Sequence, residues 1–212
     1  MDHDFWHQKW RDGQIGFHEK DVNPLLIKNL PALKLPGPSR IFVPLCGKSH
    51  DLAWLAEQGH TVVGAELSQQ AVEAFFEEHE MVPTVTQSGA LRRYRSGPVE
   101  LLAGDFFDLT EQDLGPVDAV FDRAALVALP AEMRRAYSAR LRALTGTAPQ
   151  LLVSFDYDQS QMKGPPFSVP ASEIHAHYDP FYTVDQISSE PISGPLGQRT
   201  KGSETVWILS PG

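Results

Sequence analysis

A single cysteine, Cys46, occurs among the 212 residues, so no internal disulfide can form and nothing in the chain asks for an oxidising compartment. No apolar run approaches the ~20 residues of a membrane-spanning helix. The start, Met1-Asp2-His3-Asp4, carries acids where a secretory signal needs basic residues. A cytoplasmic protein without a membrane partner is expected. Positive charge is also scarce: 18 Lys and Arg against 27 Asp and Glu leave a formal net charge of −9, which gives a phosphate backbone little to condense on. The one basic stretch, Leu91-Arg92-Arg93-Tyr94-Arg95, reads as a solvated loop. No nucleic-acid partner is expected, the substrate should be small, and a monomer is the expectation.

What is present describes a globular domain, since 42% hydrophobic residues supply the apolar surface that a disordered chain lacks. Residues 4–11 place Phe5 or Trp6 and Trp10 at helical spacing before Asp12-Gly13 breaks the pattern. Asn23-Pro24 opens a second helix to about Leu30, and Pro31, Pro36, Gly37 and Pro38 make a linker. The period then changes. Apolar runs at 40–45, 60–65, 99–103, 117–121 and 151–155 alternate with helical patterns at 51–58, 68–79 and 131–144. Such alternation predicts a doubly wound α/β fold around a parallel sheet, with ligands at the carboxyl ends of its strands. After the stiff loop Gly164-Pro165-Pro166-Phe167-Ser168-Val169-Pro170 comes a helix start near Ser172-Glu173. Two strand-like segments, 182–188 and 204–209, then suit an antiparallel pair closing the sheet edge.

The candidate chemistry lies at those strand ends. Cys46-Gly47 follows the first strand, where a helix amino terminus offers N–H groups and glycine permits close approach. Glu66 ends the second strand, 19 residues beyond Gly47, at the spacing of a carboxylate that takes the hydroxyls of an adenosine ribose. The alternative use of Glu66 is as a helix-start carboxylate ahead of Ser68. Asp105, after the third strand, is placed to accept the exocyclic amine of adenine, with Phe106 against the ring; alone it reads equally as a turn acid beside Gly104. Asp122-Arg123 borders the same crevice, with a surface ion pair as the plainer use.

Two other nucleotide readings fail. A P-loop needs glycine where the chain has Phe42. A nicotinamide enzyme usually shows G-x-G-x-x-G, whereas the turn here is Pro44-Leu45-Cys46-Gly47-Lys48-Ser49. Adenosine without a pyrophosphate fits better.

The blocks Phe42-Val43-Pro44-Leu45-Cys46-Gly47-Lys48-Ser49, Val63-Gly64-Ala65-Glu66-Leu67-Ser68 and Phe121-Asp122-Arg123-Ala124-Ala125-Leu126 resemble the signatures of thiopurine S-methyltransferases. The likeness extends to residues 6–18 and to Gly164-Pro165-Pro166-Phe167. The resemblance implies a class I methyltransferase with a mostly parallel seven-stranded sheet and an amino-terminal helical lid. It implies S-adenosylmethionine held by Trp10, Leu45, Glu66, Asp105, Phe106 and Arg123, with Phe17 facing a thiol or heavier chalcogen acceptor. Arg199 falls near a position where relatives carry an acceptor-facing arginine. Members of bacterial appearance are also associated with methylating tellurium and selenium compounds. His18 could take a proton, although a lone histidine beside a loop is more often structural. One domain over 1–212 is expected: 1–38 lid and linker, 39–160 cofactor-binding core, 161–212 acceptor-side loop and antiparallel strands. No metal is expected and no single catalytic base is nominated. A non-catalytic protein that binds a nucleotide or chalcogen on the same fold is the competing reading.

Overall fold

The computed structural model describes residues 3–15 and 18–212. In chain order the elements begin with α1 (His3–Arg11), α2 (Pro24–Asn29), β1 (Arg40–Pro44), α3 (His50–Glu57), β2 (Thr61–Glu66) and α4 (Gln69–Glu78). Then follow β3 (Thr84–Ser88), β4 (Leu91–Ser96), β5 (Val99–Ala103), α5 (Glu111–Leu114), β6 (Ala119–Asp122) and α6 (Ala131–Thr145). The chain ends with β7 (Gln150–Tyr157), α7 (Ala171–Tyr178), β8 (Tyr182–Pro191), α8 (Gly194–Gly197) and β9 (Gly202–Pro211).

One nine-stranded sheet runs in the order β3-β4-β5-β2-β1-β6-β7-β9-β8. Its five central strands, β5-β2-β1-β6-β7, are mutually parallel. They are buried on both faces, which is why their sequences are continuous apolar runs with no polar alternation. Phe42, Val63, Leu102, Val120 and Leu152 feed one core. Ile41, Val62, Leu101, Phe121 and Leu151 feed the other. The chain starts at β1, moves outward through β2 to β5, then returns to β6 on the other side. This places the topological switch point between the carboxyl ends of β1 and β6.

The sheet has nine strands where seven were expected: the two extra are β3 and β4, and Leu91–Arg95 lies in the second. It is no solvated loop but most of β4, antiparallel to both β3 and β5. Leu91 and Tyr94 are buried, and Arg93 and Arg95 pair with Glu100, itself 2% exposed, across the β4–β5 ladder. An arginine-rich run is stable in a sheet when a neighbouring strand supplies the buried acid. The antiparallel closure by β8 and β9 beyond β7 is as expected, with a bulge between Gln186 and Ser188. No described helix is long and apolar enough to cross a membrane.

Candidate functional site

The turn after β1 is shaped by backbone conformation before side chains. Leu45 and Gly47 both have positive φ, 48° and 55°, so Leu45 accepts a conformation that its Cβ disfavours, and its side chain lines a cavity. The Cys46 N–H donates to the Ala65 carbonyl at 3.0 Å, carrying the β1–β2 pairing one residue further. Ser49 then caps α3 by accepting from the Asp51 N–H at 3.2 Å. The thiol of Cys46 points into the core: a Cβ built on Gly64 would lie 2.6 Å from its Sγ. Burial and the nearby Glu66 carboxylate raise the thiol's pKa well above its usual value, so it is a packing group and not a nucleophile.

Glu66 is 7% exposed, and its carboxylate accepts from the Gly47 N–H at 2.9 Å (Oε2) and the Ser68 N–H at 2.8 Å (Oε1). The helix-start reading of this residue is realised: the carboxylate meets the Ser68 N–H ahead of α4 and also ties that start to the β1 turn. Burial pushes its pKa up, and the N–H groups of Ser68, Gly47 and Leu67 oppose that rise. Asp105 forms a local turn, accepting from the Phe107 N–H at 2.9 Å. Its Oδ2 lies 2.8 Å from Nε2 of His3 on α1, so the amino-terminal helix is docked on the acid assigned to adenine. Phe106, 5% exposed, packs on Tyr137 of α6 with ring centroids 4.9 Å apart.

Leu45, Glu66, Asp105 and Phe106 converge on a cavity of about 100 Å³, completed by His3, Ala65, Leu67, Gly104, Phe107, Leu129, Met133 and Tyr137. Neither lysine nor arginine lines it. A larger open cleft of about 420 Å³ adjoins it at Leu67 and Gly104, lined by His7 and Arg11 of α1, Gln69, Gln70, Gln87 and Arg92. Trp10, 6% exposed, is buried at α1 and lines neither space.

Across the switch point Asp122 is fully buried, accepting from the Leu126 N–H at 3.1 Å and the Tyr137 hydroxyl at 2.7 Å. Burial raises its pKa to about 6. The plainer alternative, a surface pair of Asp122 with Arg123, does not occur: Asp122 is buried, and Arg123 Nη2 pairs with Glu19 Oε1 at 2.5 Å. His18 lies against His50, ring centroids 5.3 Å apart, and His50 against His79 at 5.2 Å. Burial, then the charges of Lys48 and His50, lowers the pKa of His18, which favours its neutral form. Arg199 is exposed just beyond α8; burial raises the pKa of Tyr157, and the Gln159 hydrogen bond and the Arg199 charge oppose that rise. The 164–167 loop docks through the Phe167 N–H to the Val127 carbonyl at 2.6 Å and the Tyr157 hydroxyl to the Pro166 carbonyl at 2.5 Å. Phe17 lies outside the described residues. Among them no cluster of metal-ligating side chains occurs.

Tyr137, Glu19 and Glu204 carry no motif in the sequence. Tyr137 reaches the site only because α6 packs over Phe106. Glu204 is half-buried on β9, where burial raises its pKa, the Arg123 charge opposes the rise and Glu19 adds to it.

A doubly wound sheet with a turn after β1, acids ending β2 and following β5, and a cavity between them lined by neither lysine nor arginine has the form of a class I S-adenosylmethionine-dependent methyltransferase. Solved structures agree on the fold. The magnesium protoporphyrin IX methyltransferase of Synechocystis PCC 6803 with bound S-adenosylmethionine superposes with a TM-score of 0.67 at 15% identity, covering 99% of this chain and 97% of that one. The 1,6-didemethyltoxoflavin-N1-methyltransferase of Burkholderia thailandensis with S-adenosylhomocysteine gives 0.65 at 16% identity, covering 98% and 87%. Within the class the chain belongs to the thiopurine S-methyltransferase family, whose model matches residues 1–208. Curated relatives of that name from Xanthobacter autotrophicus and Gluconobacter oxydans are 50% identical over 210 residues and 48% identical over 207. They cover 99% and 98% of this chain and 99% and 94% of their own.

Proposed function

We propose that this methyltransferase transfers the methyl group of S-adenosylmethionine to the sulfur of thiopurines or related small aromatic thiols, with selenium and tellurium compounds as further acceptors. The observation that carries the cofactor half is the cavity lining: two carboxylates and an aromatic ring, with neither lysine nor arginine. That donor set suits a nucleoside with free ribose hydroxyls and a sulfonium, and offers nothing to a pyrophosphate. In this reading Glu66 accepts from the ribose hydroxyls with the lone pairs left beside its two backbone partners. Asp105 accepts from the adenine amine, Phe106 and Leu45 cover the ring, and Trp10 supports them from α1. The cofactor supplies an electrophilic methyl group.

The acceptor half rests on Arg123 at the end of β6, with Arg199 and Phe17 completing the acceptor side. A guanidinium remains charged throughout the working pH range, so it favours thiolate over thiol and orients a heterocycle without exchanging a proton. Attack of a thiolate on the methyl carbon forms the carbon–sulfur bond as the sulfonium bond breaks, and both charges vanish. Aromatic thiols are acidic enough to need no strong base, so the residues act mainly by alignment and exclusion of water. A neutral His18 is consistent with that.

Transfer of radiolabelled methyl from S-adenosylmethionine to a panel of thiopurines, thiophenols, selenite and tellurite tests this reading. Catalytic turnover with heterocyclic thiols is expected. Stoichiometric binding without turnover would replace the enzyme by a sequestering protein, and turnover confined to oxygen or nitrogen acceptors would overturn the acceptor class.

A further inference from the structure

Arg123, the guanidinium assigned above to the acceptor, is already engaged. Its Nη2 lies 2.5 Å from Oε1 of Glu19, in the segment joining α1 and α2. The other oxygen of Glu19 accepts from Asn23 Nδ2 at 3.2 Å. Asn23 is 3% exposed and firmly held: its Oδ1 caps α2 by accepting from the Leu25 and Leu26 N–H groups, and its own N–H donates to Asp51 in α3 at 2.8 Å. On the other side of Glu19, His18 rests against His50 of α3. The carboxylate is thus presented to Arg123 between two anchored neighbours and is no freely swinging surface acid. Burial raises the pKa of Glu204 on β9, and the Arg123 charge opposes that rise from a distance.

We propose, on the reading of Arg123 given above, that Glu19 is a built-in competitor of the acceptor and sets its selectivity: the carboxylate occupies the guanidinium until an anionic thiolate displaces it. The exchange is physically reasonable. The Glu19 side chain is 46% exposed and that of Arg123 15%, so the pair gains only the modest energy of a partly solvated ion pair. An anionic acceptor gains the contact that Glu19 gives up. A neutral one has no reason to displace it.

Binding of 6-mercaptopurine to the full chain saturated with S-adenosylhomocysteine, where no turnover occurs, tests this by calorimetry. It is measured once where the thiopurine is neutral and once where it is ionised. Glu19→Gln should tighten binding of the anion by about fivefold, leave the neutral form and S-adenosylhomocysteine unchanged, and lose its effect in an Arg123→Gln background. Glu19→Ala, with its melting temperature recorded, should act in the same direction. Equal tightening of both forms, or a gain that persists without Arg123, would assign the effect to the general negative field and overturn the proposal. No change in either variant would overturn it too. If the wild type binds the thiopurine in neither form, the acceptor class falls and this inference with it; wild-type binding that is indifferent to Glu19 removes this inference alone.

Discussion

Glu66 and Asp122 are both buried carboxylates at strand ends, yet their surroundings set them different tasks. Glu66 accepts two backbone N–H bonds at the cavity wall, and its charged form is supported there. Glu66→Ala should weaken S-adenosylmethionine binding by about 1–3 kcal/mol, the cost of losing charge-assisted bonds to the ribose. Calorimetry with unchanged affinity would reduce Glu66 to its structural part. Asp122 is sealed beneath Tyr137, and its pKa rises from 3.8 to about 6. The folded state therefore binds this proton more tightly than the unfolded chain. Ionising Asp122 costs stability, with the full cost, about 3 kcal/mol, present above pH 6 and gone below 3.8. Asp122→Asn removes the charge while keeping the shape. Urea unfolding should show its advantage over the wild type growing as pH rises from about 4 to about 7, and an advantage independent of pH would contradict the assignment. Neither residue's second role was legible in the sequence. The Gly47 contact of Glu66 depends on β1 and β2 pairing in parallel, and the burial of Asp122 depends on α6 lying over it.

At the scale of elements, α1 is the one whose use the fold leaves to experiment. Its nine residues are too few to hold a helix in isolation, and Trp10 is its only buried side chain. His3 holds the helix against Asp105, beside the cavity. If α1 excludes water from the cofactor, removing the residues before Gly13 should lower kcat/KM far more than the melting temperature, since the helix contributes little core. Parallel loss of both would make α1 ordinary packing. The helix itself was readable from the spacing of its aromatic residues. The β3–β4 hairpin was not: Arg93 and Arg95 read as solvated charge until Glu100, on the next strand, supplies their buried partner. Helical signals are local, whereas a strand's stability lies in what it pairs with.

For the whole molecule, the strand order places Glu66 and Asp105, at the ends of β2 and β5, on one side of the switch point and Arg123, after β6, on the other. If Arg123 holds the acceptor as an anion, the rate should rise with pH until the acceptor ionises and then level off, and the midpoint should follow acceptor acidity across a series of thiols. Initial rates against pH for three thiols of different acidity measure this. A fixed midpoint would mean that a group of the protein is titrating.

The fold class, the family and the positions of Leu45, Glu66, Asp105 and Phe106 were determined by the sequence alone, because each is written in short-range pattern: buried runs of parallel strands, a turn motif and acids at strand ends. The tertiary structure alone decided the rest. It drew Tyr137 under Phe106, sealed Asp122, turned a basic run into β4 and set Glu19 on Arg123. The contacts of Tyr137, Asp122 and Glu19 join residues 15 to 104 positions apart, and such pairings exist only once the sheet has assembled and its strand order has chosen which distant side chains meet.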